Sequence, residues 1–300
     1  MHLGNSIICP VTGIPMMVAM GAAAFWAFKK ARTDFTKEKI LPTVMLTALI
    51  FSLQMINFSI PTTASSGHII GAILLSALLG PYVAFLSVCS ILLVQSLFFA
   101  DGGILALGCN IFNMGFLACF AVYPLVYKSF KNKIIGSIFA SVAALQLGSL
   151  AVVAESAISG SIVDMRMFTF FMCGIHLAIG VVEGFVTAGI VYAAQKTNLS
   201  KIFSYVTGGF ALVLAGIISN YASTKPDGLE WSLLNMSDSF VAQTQGQIYA
   251  MSEAIQTKTA VLTSIPSVYA NIIGVGIIMI LALSTFSLVS YKSVQTNSNY

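Results

Sequence analysis

Charged residues are scarce in this chain. Asp, Glu, Lys and Arg make up 8% of its 300 residues, whereas an ordinary soluble domain contains about 25%. Hydrophobic residues make up 57% and the mean hydropathy is +0.92, which excludes a soluble globular domain. Apolar runs near the ~20 residues needed to cross a bilayer recur along the chain, and a backbone in lipid has to satisfy its own hydrogen bonds. The composition therefore predicts an all-α, polytopic membrane bundle.

Cysteine pairs and catalytic motifs are also missing. The five cysteines contain no CxxC pair and read as small buried hydrophobic residues, not as a disulfide framework or a zinc site: Cys9, Cys89, Cys109, Cys119 and Cys173. No GxxxxGK[ST] loop is present to cradle the phosphates of ATP. HExxH and GxSxG are absent as well, which weakens a protease or hydrolase assignment. We expect a protein that is not an enzyme and holds no cofactor, and no feature indicates nucleic acid as a partner.

The N-terminus lacks the basic region that begins a cleavable signal peptide, since no Lys or Arg precedes Lys29. We therefore expect Met1 and His2 to persist in the mature protein.

Apolar runs bounded by charges or by Gly, Pro and Asn predict about nine transmembrane segments. They fall near 14–28, 41–57, 68–79, 82–99, 104–127, 134–154, 167–194, 203–221 and 261–291. The third is short and ends at Gly80-Pro81, which suits a tight turn between helices.

Basic residues predict the orientation, because Lys and Arg favour cytoplasmic loops. The loop between the first two segments carries five of them, which places it inside and the N-terminus outside. With nine spans, three of the 14 Lys and Arg fall outside and the other 11 inside. Met1-His2 and the segment before His68 then share the outer face, together with loop 222–260.

The start of the chain offers a compact set of nitrogen ligands. Met1-His2 combines an amine, an amide nitrogen and an imidazole, and His68 can supply a fourth donor. Nitrogen donors in a planar arrangement suit Ni(II) or Cu(II). Each histidine also has an ordinary interpretation, His2 as a solvated terminal residue and His68 as a capping or packing residue at a helix start.

Polar residues inside the predicted spans have two interpretations. His176 and Glu183 share one helix face two turns apart, either as a hydrogen-bonded pair that joins helices or as part of an ion path. The remaining candidates for interhelical hydrogen bonding or for support of a metal site are Asn57, Ser66, Asn110 and Asn113, along with Gln54 and Gln95.

An ordered series of short segments carries a family resemblance. It comprises Gln54-Met55-Ile56-Asn57-Phe58, Ser66-Gly67-His68-Ile69-Ile70-Gly71, Leu79-Gly80-Pro81, Gln95, Asp101-Gly102-Gly103 and 106–114. With the Met-His start and the His-x6-Glu helix, the series resembles the CbiM and NikM proteins, the substrate-binding components of energy-coupling-factor cobalt and nickel importers. Pro226-Asp227-Gly228-Leu229-Glu230 resembles the signature of their small CbiN/NikN-like companion subunit. The resemblance divides the chain into a metal-capturing domain, 1–200, and a C-terminal domain, 201–300, with two helices and an extracytoplasmic loop.

The resemblance implies that Met1, His2 and His68 bind Ni2+ or Co2+, with the other polar candidates supporting the site or the pathway. It implies a transmembrane coupling subunit and two ATPase subunits as partners, in the cell membrane and in the context of cobalamin biosynthesis or nickel supply. The residues following Met1-His2 depart from the family, so the N-terminal loop is expected to be built differently, with Cys9 as a further candidate near the metal. A stand-alone secondary permease that uses His176 and Glu183 is the alternative, and an intramembrane enzyme is a third class that no motif favours.

Overall fold

The chain folds as a helical bundle in the computed structural model, which describes residues 1–197 and 199–297. Asn198 and residues 298–300, the last of the predicted C-terminal domain, lie outside the described residues. The helices are α1 Pro10–Asp34, α2 Ile40–Gln54, α3 Ala72–Leu79, α4 Pro81–Phe98, α5 Leu107–Ser129, α6 Lys133–Ser159, α7 Met165–Thr197, α8 Lys201–Gly216, α9 Gly228–Leu234, α10 Gln247–Thr259 and α11 Ser267–Asn297.

Only a minimal sheet accompanies these helices in the described residues. Strand β1 (Phe58–Ser59) pairs antiparallel with β2 (Ser66–Gly67), with Phe58 opposite Gly67 and Ser59 opposite Ser66. Short 3-10 turns lie at Asn5–Ile7, Lys37–Lys39, Ile218–Tyr221, Ser237–Ser239 and Val261–Ser264. The central part of α5, Phe112–Val122, is a π-helix.

Six helices of the described chain are long and apolar enough to cross a membrane: α1, α4, α5, α6, α7 and α11. The nine-span count is therefore not confirmed. The predicted segments 41–57, 68–79 and 203–221 correspond to α2, α3 and α8, which have 15, 8 and 16 residues. At 1.5 Å per residue α3 is only about 12 Å long, far short of the hydrocarbon thickness.

The expected turn at Gly80-Pro81 is confirmed. Gly80 has φ 83°, a left-handed conformation that glycine adopts without strain, and Pro81 opens α4 at the first helical position. Two helices thus meet through one residue.

The packing buries α2 and α4 at the centre of the bundle. α2 lies against α8 and α11, α4 lies against α1 and α3, and α6 pairs with α7 along much of its length. Close approach depends on glycine: a Cβ at Gly274 of α11 would lie 2.7 Å from the Phe99 ring, and one at Gly184 of α7 would lie 2.9 Å from the Ile138 backbone of α6. Few apolar side chains of these central helices face outward.

The segments predicted to lie outside are gathered at one end of the bundle. Ser66 N donates to Pro226 O at 2.8 Å, Val163 N to Ser239 O at 2.8 Å and Gln243 N to Ser6 O at 2.7 Å. The N-terminus, the β1–β2 turn, the α6–α7 connection and segment 222–260 therefore form one continuous layer. Which side of a membrane this layer faces stays a prediction.

Candidate metal centre

The first residues of the chain are inserted into the bundle. Met1 is 3% exposed and Leu3 is fully buried. Asn110 of α5 holds this segment from both sides, because its Oδ1 accepts Leu3 N at 2.8 Å and its Nδ2 donates to Leu3 O at 3.1 Å. Gly103 N adds a bond to Leu3 O at 2.8 Å. Asn110, a sequence candidate for support of the site, thus anchors the N-terminus.

The unusual residues after His2 also have a structural role. Asn5 Oδ1 accepts Leu105 N at 2.9 Å, while Asn5 Nδ2 donates to Glu253 Oε1 at 2.6 Å and Gln256 Oε1 at 2.8 Å. Glu253 and Gln256 belong to α10. In this chain the N-terminal loop is therefore tied to the C-terminal part of the molecule.

His2 and His68 lie side by side. Their ring centroids are 4.9 Å apart with an interplanar angle of 30°. His2 Nδ1 lies 3.3 Å from Asp101 Oδ1, and His2 Nε2 lies 3.3 Å from Gln95 Oε1. A neutral imidazole has one N–H, so it donates to only one of these two oxygens.

His68 belongs to the irregular segment between β2 and α3. It is 6% exposed, and its buried Nδ1 has no hydrogen-bond partner. The backbone just after it is held by Glu183 of α7, which accepts Ile70 N at 2.7 Å and Gly71 N at 3.0 Å. Gln54 Nε2 donates to Ile70 O at 2.8 Å, so α7 and α2 together set the position of His68.

His176 and Glu183 do not form the hydrogen-bonded pair that was one of their two interpretations. The Glu183 carboxylate is occupied by the backbone of 70–71, while His176 Nδ1 lies 2.7 Å from Met172 O within α7. Seven residues of helix separate the two side chains by about 10 Å along the axis, too far for a direct bond. His176 Nε2 is buried without a partner.

Asp227, which the sequence singled out only as part of the CbiN/NikN-like signature, contacts the N-terminus directly. Its Oδ2 lies 3.1 Å from the Met1 amine, and the two groups are 226 residues apart in sequence. Asp227 is the N-cap of α9 and forms a capping box with Glu230, since Asp227 Oδ1 accepts Glu230 N at 2.8 Å and Glu230 Oε2 accepts Asp227 N at 3.2 Å. The capping box therefore holds the Asp227 carboxylate in position next to the Met1 amine.

Ser66 joins the same C-terminal segment to the segment of His68. Ser66 Oγ donates to Lys225 O at 2.7 Å, and Ser66 N donates to Pro226 O at 2.8 Å. The segment Pro226-Asp227-Gly228 consequently lies next to both Met1 and the segment of His68.

An inner cavity of about 10 Å³ lies at the centre of this arrangement, lined by Met1, His68, His176 and Asp227, together with Gly67 and Gly228. That volume admits roughly one water-sized particle. Gly228 packs closely on His176, because a Cβ there would lie 3.1 Å from His176 Cε1 and 3.3 Å from Nε2. His176 therefore lines the inner cavity, although it forms no pair with Glu183.

Burial keeps both imidazoles neutral. It lowers the pKa of His2 to about 3, aided by the nearby amine and opposed by Asp227 and the Gln95 hydrogen bond. Burial likewise lowers the pKa of His68 to about 3, with the amine and His2 adding to the effect and Asp227 and Asp101 opposing it. Neutral imidazole is the form that binds metals.

The two carboxylates respond differently to the same surroundings. Burial by itself would raise the pKa of Asp227, but the amine and the Glu230 N–H outweigh it and hold that pKa well below its usual range. Burial raises the pKa of Asp101; His68 and the amine oppose the rise, and the negative charge of Asp227 adds to it. Of these two carboxylates, Asp227 is consequently the one that stays ionised beside the nitrogen donors.

Three other sequence candidates lie away from the inner cavity. Asn113 Nδ2 donates to Glu155 Oε2 at 2.7 Å, joining α5 to α6. Asn57 lines the approach to the site, and its carbonyl accepts Ser223 N at 2.7 Å. The Cys9 thiol lies 3.4 Å from Thr12 Oγ1 and lines neither this cavity nor its approach.

The donor set differs from ordinary protein metal sites. No group of three or more His, Cys, Asp or Glu side chains in the described residues has a metal-holding geometry. The nitrogen atoms gathered here are two imidazoles and the main-chain nitrogens of the first two residues, a set suited to divalent transition metals of the nickel and copper type. Binding there requires the amine to exchange Asp227 for the metal.

A buried N-terminus beside two stacked imidazoles, inside a helical membrane bundle, is an arrangement that suits a membrane protein of metal transport. The chain belongs to the CbiM family, described as the cobalt uptake substrate-specific transmembrane region, whose family model matches residues 2–201. A PDGLE domain follows at residues 201–291. The family resemblance is thus confirmed, and the chain is an integral membrane protein of the cobalt and nickel transport family.

Relatives with both parts fused are among the similar proteins. A putative fused nickel transport protein NikMN of Archaeoglobus fulgidus is 37% identical over 49% of this chain and 50% of its own. A probable fused nickel transport protein LarMN of Lactiplantibacillus plantarum is 34% identical over 52% of each chain. The chain therefore spans about half of the length of these relatives. A solved structure of a truncated transition metal transporter is 31% identical, covering 66% of this chain and 99% of its own, with a TM-score of 0.59.

Proposed function

We propose that this chain is the metal-binding membrane component of an energy-coupling-factor importer that captures Ni2+ or Co2+ at the outer face of the cell membrane. The observation that carries the proposal is that Met1 and His68 line one small buried cavity, with His2 stacked on His68. Four nitrogen donors from the Met1 amine, the His2 amide, the His2 imidazole and the His68 imidazole would enclose one metal ion.

The proposal assigns energy coupling to other chains. This sequence has no loop that cradles nucleotide phosphates, so a transmembrane coupling subunit and two ATPase subunits would supply ATP hydrolysis, and the chain alone would hydrolyse none. A stand-alone permease has less support, because Glu183 holds the backbone of 70–71 and is not free to relay an ion.

Metal titration of the purified full chain tests the ligand set. A variant extended by one Gly ahead of Met1 keeps the membrane helices but moves the amine and the His2 chelate out of register. It should lose Ni2+ and Co2+ affinity by more than about 100-fold, more than the 10- to 100-fold cost of losing a supporting group.

Two further measurements complete this test. Intact mass establishes that Met1 is retained with a free amine, and His68→Ala should weaken binding as strongly as the extension does. Equal affinity of the native and extended chains would exclude the N-terminus as a ligand.

A further inference from the structure

A second, larger cavity lies immediately outside the candidate metal centre. Its volume is about 240 Å³; it shares His68 and Asp227 with the inner cavity, and His2 lines it as well. The two spaces are therefore separated by single side chains. Asp101 and Glu230 also line the outer cavity, so three carboxylates face one space.

The outer cavity contains an oxygen acceptor that the fold leaves free. Gln54 lines this cavity and is 2% exposed. Its Nε2 donates to Ile70 O, but its Oε1 accepts no hydrogen bond. An unpaired buried acceptor is costly unless something satisfies it. The nitrogen His68 Nδ1 is similarly buried and unpaired at the wall between the cavities.

Charge in this space is strongly unbalanced. The carboxylates of Asp101, Asp227 and Glu230 face the single positive charge of the Met1 amine, which contacts Asp227. The pair of imidazoles adds no positive charge when neutral. A divalent cation would restore the balance, whereas an anion would not.

The two volumes separate a hydrated ion from a bare one. A water molecule takes up about 30 Å³, so a divalent ion with about six waters needs roughly 200 Å³. The outer cavity admits such a particle, while the inner cavity of about 10 Å³ admits one particle the size of a single water. Water has to be removed between them, and carboxylate or amide oxygens are suitable replacements for water on a divalent ion.

We propose that the outer cavity is a capture and dehydration site, where Asp101, Glu230 and Gln54 replace water on the incoming Ni2+ or Co2+ before the ion passes to the nitrogen donors. Asp227 lies in both cavities and takes part in the transfer, because the metal gains its carboxylate as the amine releases it. This inference rests on the proposed function.

Glu230→Gln is the sharpest variant for testing the outer site. Gln keeps the capping box that begins α9 and removes the charge, and the inner ligands stay in place. Loading of purified full chain with Ni2+ alone, followed by stopped flow, should slow by at least about threefold, which is less than the roughly 10- to 1,000-fold effect of a complete focusing charge set because two carboxylates remain. Stoichiometry at saturation should stay the same as in the native chain.

Asp238→Asn is the matched control, because Asp238 is an exposed acidic residue of the same segment and does not line the cavity. It should load at the native rate. An unchanged rate in Glu230→Gln, or an equal loss of rate in Asp238→Asn, would overturn the outer site and leave only general electrostatic attraction.

A Mn2+ measurement separates this inference from the proposed function. Mn2+ prefers oxygen ligands, so the Gly-extended chain, which lacks the inner site, should still bind one Mn2+ weakly. Electron paramagnetic resonance detects this bound Mn2+. The double variant Asp101→Asn/Glu230→Gln in that chain should abolish this signal. Persistence of the signal refutes the outer site, whereas failure of the native chain to bind Ni2+ or Co2+ refutes the proposed function.

Discussion

Burial and neighbouring charges set the protonation state of each ionisable residue in this site. An imidazole transferred from water into a protein interior favours its neutral form, and His2 and His68 are buried against one another. The carboxylate of Asp227 stays ionised in the same surroundings because the amine lies 3.1 Å away. Burial thus prepares both rings as ligands while retaining one negative charge.

The pH dependence of stability tests this account at the residue scale. The pKa of His68 is about 3 in the folded chain, against about 6.5 when unfolded. Since the unfolded chain takes up the proton first, the contribution of His68 to the free energy of unfolding is fully present above about pH 6.5. It is lost as the pH falls toward 3. Between pH 6.5 and 5.5 the loss is on the order of 1 kcal/mol for each such imidazole.

Thermal unfolding of the native chain and of His68→Gln at these two pH values measures the effect. Gln does not titrate, so the variant should lose less stability between pH 6.5 and 5.5 than the native chain, by about 1 kcal/mol. An identical loss in the two proteins would mean that His68 has the same pKa in the folded and unfolded chain and is not held neutral by burial.

Among the elements, α7 is the platform of the site. His176, Ile179 and Glu183 lie on one face of this helix, at spacings of three and four residues. His176 lines the inner cavity. Ile179 packs directly on Gly67, since a Cβ at Gly67 would lie only 2.6 Å from Ile179 Cγ1. Glu183 binds the backbone that follows His68. The irregular segment 67–71 therefore rests on one continuous helical surface.

Glu183→Gln should uncouple that segment from α7. The amide group offers one acceptor where the carboxylate offers two, which leaves the N–H of Ile70 or Gly71 unpaired in a buried position and costs about 1–3 kcal/mol. Because His68 then loses its fixed position, Ni2+ affinity should fall about 10- to 100-fold. Metal titration and thermal unfolding measure the two effects.

Glu155→Gln is the control for this variant, since Glu155 is another buried carboxylate but contacts Asn113 instead of the segment of His68. It should keep its metal affinity, because Gln still accepts the Asn113 hydrogen bond and the segment of His68 is untouched. If both variants lost affinity equally, general destabilisation would explain the result and Glu183 would have no positioning role.

On the scale of the whole molecule, the C-terminal part covers the site that the N-terminal part begins. Residues from Lys225 to Gln256 bond to the N-terminus, to Ser66 and to the backbone of Gly102. A candidate metal centre assembled from both ends of the chain gives a physical reason for joining the two parts in one polypeptide.

Impermeant thiol labelling of intact cells tests which way this layer faces. In a Cys9→Ser background, Ala64→Cys and Gln245→Cys should label from outside, because both positions are exposed and lie in the predicted outer layer. Lys131→Cys, exposed at the predicted inner end, should label only after permeabilisation. The neighbouring Ser65 is unsuitable because it is fully buried. Labelling in the reverse pattern would invert the orientation.

Local patterns were sufficient for several properties of this protein. Hydropathy determined the membrane class, because the backbone of each apolar run satisfies its own hydrogen bonds. Gly80-Pro81 determined a turn, because those two residues restrict their own backbone. The order of short segments determined the family, and it singled out Met1, His2 and His68, which the fold brings to one place.

Other properties depended on contacts between distant residues and were decided only by the tertiary structure. The helices α2, α3 and α8 are shorter than their apolar runs; residues 68–71, for example, stay outside α3 because Gln54 and Glu183 bind the backbone of Ile70 and Gly71. His176 and Glu183 look like partners by spacing, yet each binds a closer backbone group. Asp227 lies on the Met1 amine although 226 residues separate them. No local pattern encodes a contact over such a distance, because it arises only when both segments pack against the same bundle.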